Sequence, residues 1–159
     1  MIATVHVSTW QAAYHALLPN KFLQALSVER RTQSWERTIT QVVGNVWVYE
    51  EDSQIMGLVS FGASRDSDVD HDQIGEIYAL YVDPSRWDKG YGVALLHPAI
   101  DMLRNQAFAA ATLWVLRGNQ RAIRFYERAG FRPDGGTKVD ERPNGITLHE
   151  IRYRLSLVH

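Results

Sequence analysis

Hydrophobic and polar residues alternate along the chain with two periods, and the switches between them divide it into elements. From Ala3 to Asn20, "ATVHVSTWQAAYHALLPN", Val7, Trp10, Tyr14 and Leu17 recur at three- and four-residue spacing. This predicts a helix stopped at Pro19 and Asn20. "NKFLQALSVERRTQSWERTITQ" predicts a second helix or a broken pair, with Ser27 able to cap a new segment and Glu29 in its first turn. The period then shortens. "VWVYEED" is rich in β-branched and aromatic residues, "EDSQ" reads as a turn, and "IMGLVSFGAS" as the returning strand of a hairpin. A polar acidic loop, "RDSDVDHDQ", leads to "IGEIYALYV", nearly apolar from Ile77 to Val82 and so expected at the centre of the sheet, covered on both faces.

Beyond Val82 come a glycine pair, Gly90 and Gly92, and a helical pattern to about Gln106. Pro98 lies inside it, where it removes a backbone hydrogen bond and should kink or shift the helix. "ATLWVLR" is a further buried strand. "GNQRAIRFYERAGF" predicts a helix with Asn119 as N-cap, Ala122, Phe125, Tyr126 and Ala129 on one face, and Gly130 at its end. "GTKVDERPNGITLHEIRYRLSLV" predicts a hairpin turning at "RPNG", with Ile151, Tyr153 and Leu155 alternating with Arg152 and Arg154 as in a half-exposed strand.

Length and charge narrow the function classes. The 159 residues suggest one domain, 1–159, and the net charge of -1 gives no support to nucleic-acid binding. The chain has no cysteine, which excludes a disulfide scaffold, a thiolate metal site and a cysteine nucleophile. No apolar run of about 20 residues is present to span a membrane, and the start lacks a signal-peptide pattern, so the cytoplasm is the default location.

A strand, a glycine loop and a helix start suit a phosphate: glycine lets backbone N–H groups approach an anion, and the helix N-terminus adds a positive dipole end. On the glycines alone, a tight strand-to-helix turn accounts for the pattern equally well. A P-loop would need Gly-Lys-Ser/Thr, and none exists. A dinucleotide loop would need a small residue where Leu95 stands and an acid about 20 residues on, where Ala107 to Leu113 has none.

A third reading rests on two motifs. Trp87-Asp88-Lys89-Gly90-Tyr91-Gly92 resembles the Arg/Gln-x-x-Gly-x-Gly/Ala acetyl-CoA loop of the GNAT N-acetyltransferase superfamily, with Trp87 in place of Arg or Gln and Arg86 one residue earlier. Asn119, Ala122, Tyr126, Gly130 and Phe131 complete that superfamily's Asn-x-x-Ala-x-x-x-Tyr-x-x-x-Gly-Phe element. The resemblance covers nearly the whole chain. It implies an α/β fold: a central mixed, mostly antiparallel twisted sheet flanked by helices on both faces. Acetyl-CoA would lie in a splay between the parallel strands at Ile77–Val82 and Thr112–Leu116. The superfamily's usual first strand is expected to be missing, since the chain starts almost directly in its first helix; the bare edge leaves room for a homodimer.

The resemblance further implies acetyl transfer from acetyl-CoA to a primary amine by direct attack. Leu80, Tyr81 and Val82 would pair with the pantetheine arm, and a backbone N–H near Val82 would act as oxyanion donor. Backbone from Lys89 to Val93, including Gly90, Tyr91 and Gly92, would hold the pyrophosphate, next to Trp87 and Asp88. Asn119 would bond the pantetheine, with Ala122 and Phe125 packed beside it. Only roughly one alkylamine in a thousand is unprotonated at pH 7, so a base is needed, and Glu76 is the candidate; Tyr126 would protonate the departing thiolate. The alternatives are a non-catalytic acyl-CoA-binding sensor and a nucleotide-binding domain of another fold.

Other patterns take a plainer reading. "DSDVDHD" begins like a calcium loop but has His71 and Ile77 where glycine and glutamate belong, so no metal is expected; bordering the acceptor cleft, it would favour a cationic amine. His97 and His149 are read as structural; Trp10, Tyr14 and Trp35 are read as core, although the resemblance implies that their helices shape the acceptor pocket. Arg117, Arg121 and Arg124 form a local basic patch, read as a solvated face in preference to a contact with a CoA phosphate. Nothing in the sequence identifies the acceptor amine.

Overall fold

The computed structural model describes residues 1–41 and 44–158, apart from the side chain of Asn144. Three helices come first: α1 (Ile2–Tyr14), α2 (Asn20–Gln24) and α3 (Val28–Thr40). The second helical segment is therefore the broken pair, restarted at Ser27, whose hydroxyl accepts the Arg30 N–H at 3.2 Å. Strands β1 (Asn45–Glu51) and β2 (Gln54–Ala63) form the hairpin. Its two loop residues, Asp52 and Ser53, both take positive φ, 50° and 60°, the turn whose twist matches that of paired strands.

Next come β3 (Ile74–Val82), α4 (Tyr91–Asn105), β4 (Ala110–Leu116), α5 (Gln120–Arg128), β5 (Arg132–Arg142) and β6 (Ile146–Ser156). The six strands form one sheet in the order β1-β2-β3-β4-β6-β5. Only β3 and β4 run parallel; the other four pairings are antiparallel. The first described element is a helix, and β1 forms one edge of the sheet.

The larger core gathers Leu96, Ala99 and Leu103 of α4, all fully buried, against Val59, Phe61, Ile77, Leu113 and Phe131. A smaller cluster joins Trp10, Leu18 and Leu23 of the N-terminal helices to Leu116 and Leu148 of the sheet. Pro98 lies on the exposed side of α4, and the helix runs through it to Asn105. An exposed position lets water satisfy the carbonyl that proline cannot serve.

Two expectations are corrected. The central strand β3 is covered only at its two ends: Ile74–Ile77 and Val82 are buried, but Tyr78–Tyr81 are half-buried, because the sheet opens beside them. Arg152, expected outward on β6, is 8% exposed. Its guanidinium donates to Asp66, Asp68 and Asp134 at 2.7–3.1 Å, and three carboxylates make burial of its charge affordable.

His6 of α1 joins the helices to the sheet. It stacks on Tyr81 of β3 with ring centroids 4.5 Å apart, and the Trp35 indole of α3 donates to its Nδ1 at 3.1 Å. Burial, reinforced by Arg31 and Arg142, pushes its pKa down to about 3. A histidine that stays neutral when folded stabilises the fold above its unfolded pKa, and this stability is lost as pH falls towards the folded value. Between pH 7 and pH 5, His6 should therefore cost the fold about 2 kcal/mol. Urea denaturation at the two pH values should show this loss in the wild type and a clearly smaller one in His6→Asn; an equal loss in both would contradict the assignment.

Candidate active site

The pairing of β3 with β4 covers only Ile74–Ile77 against Ala110–Leu113. Beyond that point β3 continues to pair with β2, and β4 with β6. The inner edges of Tyr78–Val82 and Trp114–Leu116 thus separate into a V. The expected splay is present, with its vertex at the Ile77–Leu113 pair.

A bulge at Tyr78 shapes the V. Phe61 pairs with Ile77 and Ser60 with Ala79, so Tyr78 is the extra residue on β3. An extra residue reverses the face on which later side chains emerge. Ile77, Leu80 and Val82 accordingly reach the α4-side core, while Tyr81 joins the α1-side cluster. The cleft has a cofactor-loop side next to α4 and α5, and a second side next to α1.

On the first side, a 3-10 turn at Pro84–Arg86 leads to Gly90, the N-cap of α4, with φ 88°. Asp88 also takes positive φ, 61°. A Cβ at Gly90 would meet nothing within 4 Å, so the backbone here faces open space. The first N–H groups of α4 have no partner within the helix and are available to an anion. A Cβ at Gly92 would stand 3.0 Å from the Phe125 ring, so this glycine lets α4 approach α5. The Trp87 indole donates to the Val82 carbonyl at 2.9 Å, bracing the loop against the strand end, and Thr9 Oγ1 donates to the same carbonyl at 3.0 Å. Arg121 of α5 stacks on Trp87 at 4.4 Å and pairs with Asp88 at 2.7 Å. A guanidinium thus reaches the loop from α5, although Trp87 supplies none. Arg121 and Arg124 are exposed, as the basic face read from the sequence requires, and both also line the cleft.

All the sequence-assigned residues except Lys89 line one cleft of about 1270 Å³. The Lys89 ammonium donates to the Ser85 carbonyl at 2.9 Å. Asn119 caps α5, its side-chain oxygen accepting the Ala122 N–H at 3.3 Å. Burial raises the Tyr126 phenol well above the ordinary tyrosine range, so its proton is in place at neutral pH. Glu76 is 2% exposed, and its carboxylate accepts the Arg65 N–H at 2.8 Å and the Arg65 guanidinium at 3.1 Å. To act as a base it would first have to part from Arg65.

The α1 side holds Trp10 and Tyr14, weighed from the sequence between core and acceptor pocket, and further residues that the sequence did not connect with the site. Tyr14 and Trp10 line the cleft as well as packing α1, and burial raises the Tyr14 phenol. Trp114, Lys138, Asp140, Arg142 and Glu150 complete this wall. The acidic loop reaches the cleft at Arg65 and Asp66, and the Asp66 carboxylate is taken by the Trp114 indole and Arg152. It therefore clamps the sheet and does not present free negative charge. His97 and His149, read as structural, are both exposed; His97 stands at the cleft rim.

A family model for the acetyltransferase (GNAT) family matches residues 10–131. An uncharacterized N-acetyltransferase, YuaI, of Bacillus subtilis is 29% identical over 150 residues, covering 94% of this chain and 83% of that protein. A mycothiol acetyltransferase of Propionibacterium freudenreichii is 42% identical over 74 residues, but these span 46% of this chain and only 24% of that longer protein. The acetyltransferase YncA of Salmonella typhimurium, solved with acetyl-CoA, superposes with a TM-score of 0.70 at 22% identity, over 99% of this chain and 87% of that one.

The Arg152 clamp joins the acidic loop to β4, β5 and β6 at the cleft wall. Arg152→Met would leave the carboxylates of Asp66 and Asp134, 13% and 14% exposed, without their cation. The expected loss is about 3 kcal/mol, measured by urea denaturation at pH 7. A loss below about 1 kcal/mol, typical of a surface pair, would contradict the buried-clamp description.

Proposed function

The chain belongs to the GNAT acetyltransferase family and is an acetyltransferase; from this premise we propose that residues 1–159 act as one domain that moves the acetyl group of acetyl-CoA to a primary amine of a small molecule or a peptide. The observation carrying this reading is the V between β3 and β4, with a free helix start above it and an unengaged tyrosine at its side. Extended backbone at Leu80, Tyr81 and Val82 offers the pantetheine arm a strand edge to pair with. The N–H groups from Lys89 to Val93 offer a diphosphate seat, with Arg121 supplying charge where the family has Arg or Gln. Asn119, Ala122 and Phe125 flank the arm.

In this proposal a backbone N–H near Val82 polarises the thioester carbonyl. Tyr126 protonates the leaving sulfur. Its raised phenol is a weaker acid than a thiol, so the transfer proceeds only as the C–S bond breaks and charge builds on sulfur. A carboxylate of the cleft takes the amine proton, and Glu76 is the candidate that the family resemblance implies. No helix among the described residues is long and apolar enough to cross a membrane.

Acetyl-CoA and CoA should each raise the melting temperature by several degrees at a hundred times their dissociation constant, about 2.7 kcal/mol, while NAD and ATP should not. Tyr126→Phe should lower kcat roughly 100-fold with an amine that is turned over, leaving acetyl-CoA affinity unchanged. Stabilisation by NAD or ATP in place of acetyl-CoA would overturn the reading, and unchanged kcat in Tyr126→Phe would remove the tyrosine from it.

A further inference from the structure

Five carboxylates line the cleft, and four are held by cations at 2.7–3.1 Å. Asp66 is bound by Arg152, Glu76 by Arg65, Asp88 by Arg121 and Asp140 by Arg142. Glu150 differs. Its nearest cation, Lys138 Nζ, lies 3.7 Å away, too far for a hydrogen bond, and leans over the Trp114 ring at 4.4 Å. The ion pair of Glu150 is thus long and shared with the Trp114 ring.

Its position follows from strand register. Glu150 of β6 lies opposite Leu116 of β4, the point where β4 has left β3. Cross-strand partners share a face, and Leu116 belongs to the α1-side cluster. Glu150 therefore stands on the α1 side of the V, across the sheet opening from the cofactor loop. Tyr14, Tyr81 and Tyr126 line the same cleft as Glu150, so the carboxylate and the phenol that would serve the sulfur open onto one space.

We propose that Glu150 is the general base that receives the acceptor amine from the α1 side and takes its proton, while Tyr126 serves the sulfur from the α5 side. This rests on the acetyl-transfer reading above. The ammonium gives one proton to the Glu150 carboxylate. The freed nitrogen lone pair forms the C–N bond as the C–S bond breaks, and sulfur leaves with that electron pair and takes the Tyr126 proton. The nitrogen's second proton returns to the Tyr126 oxygen, and Glu150 releases its own to water. Two protons leave nitrogen; one ends on the thiol and one in solvent.

The surroundings suit the task. Burial raises the Glu150 carboxyl above the usual glutamate range; Lys138 and Arg142 of β5 oppose the shift, and Asp140 adds to it. Tyr14 of α1 and Tyr81 of β3 face it as neutral phenols, and Arg152, two residues along its own strand, is taken up by three aspartates. A carboxyl whose folded pKa is raised binds more protons folded than unfolded, so its charge costs stability as pH rises through that window. A base role therefore predicts that Glu150→Gln is no less stable than the wild type at pH 7, whereas a structural ion pair with Lys138 predicts a loss.

The test compares the wild type with Glu150→Gln, Glu76→Gln and Lys138→Met, using spermidine, glycinamide and a tripeptide with a free N-terminus as acceptors and released thiol as readout. Glu150→Gln should lose on the order of 100-fold in kcat/KM, keep its melting temperature and acetyl-CoA affinity, and lose the acid limb of the pH profile. Lys138→Met should move that limb to higher pH. Independently of any acceptor, the 13C carboxyl signal missing from Glu150→Gln should titrate above about 4.3, the ordinary glutamate value. Wild-type kcat/KM and acid limb in Glu150→Gln, transfer of both losses to Glu76→Gln, or an ordinary titration would each overturn the proposal. Failure of acetyl-CoA to bind the wild type would instead overturn the acetyl-transfer reading itself.

Discussion

The architecture depends on one pairing that stops early. β3 and β4 share hydrogen bonds only as far as Ile77 and Leu113, because from there each follows its other neighbour, β3 to β2 and β4 to β6. Two strand edges inside a folded sheet are left with unpaired N–H and C=O groups. Such groups must find partners in water or in a ligand. An extended amide-bearing chain satisfies them as a strand would, and acetyl-CoA carries one. The bulge at Tyr78 adds a second consequence: it turns Leu80 and Val82 towards the α4 side and Tyr81 towards α1. The opening therefore has two chemically distinct mouths.

Those mouths are built differently. The α4 side is mostly backbone: a positive-φ glycine, an unpaired helix start and the close approach of α5 permitted by Gly92. Such a site binds by geometry, and side-chain changes within it can be absorbed. Trp87 illustrates this. It replaces a polar residue, but its indole fixes the loop to Val82 and its ring carries Arg121, so the cation arrives from another helix. The α1 side is made of side chains from five separate elements, including Tyr14, Tyr81, Trp114, Lys138 and Glu150. Its chemistry can change with any of them.

The same division explains what could be read from the sequence. The cofactor side is local: its glycines, helix caps and the Asn119–Phe131 element each lie within one short stretch, and fixed spacing brings them together on single elements. The α1 side depends on strand register. Arg152 alternates with apolar residues and so looks solvent-facing, yet its partners Asp66 and Asp68 are 86 and 84 residues away. Period-two alternation gives the face of a strand but not what covers that face. Glu76 sits on the expected strand, but its bond to Arg65 follows from the path of the acidic loop, for which no local rule exists. Glu150 was closer to legible. The turn at Pro143–Gly145 pairs Arg142 with Ile146, and counting back from that pair sets Lys138 opposite Glu150. What counting cannot supply is the neighbouring β4 and the loss of its partner at Leu113.

The central claim is that the free strand edge and the free helix start together hold the acetyl donor. Backbone hydrogen exchange followed by mass spectrometry, with and without acetyl-CoA, tests it most directly because it reports on the amides themselves. The account predicts slowed exchange at Tyr78–Val82 and Gly90–Val93 on binding, with β1 and β5 unchanged. Binding of acetyl-CoA that leaves both segments exchanging as before would contradict it.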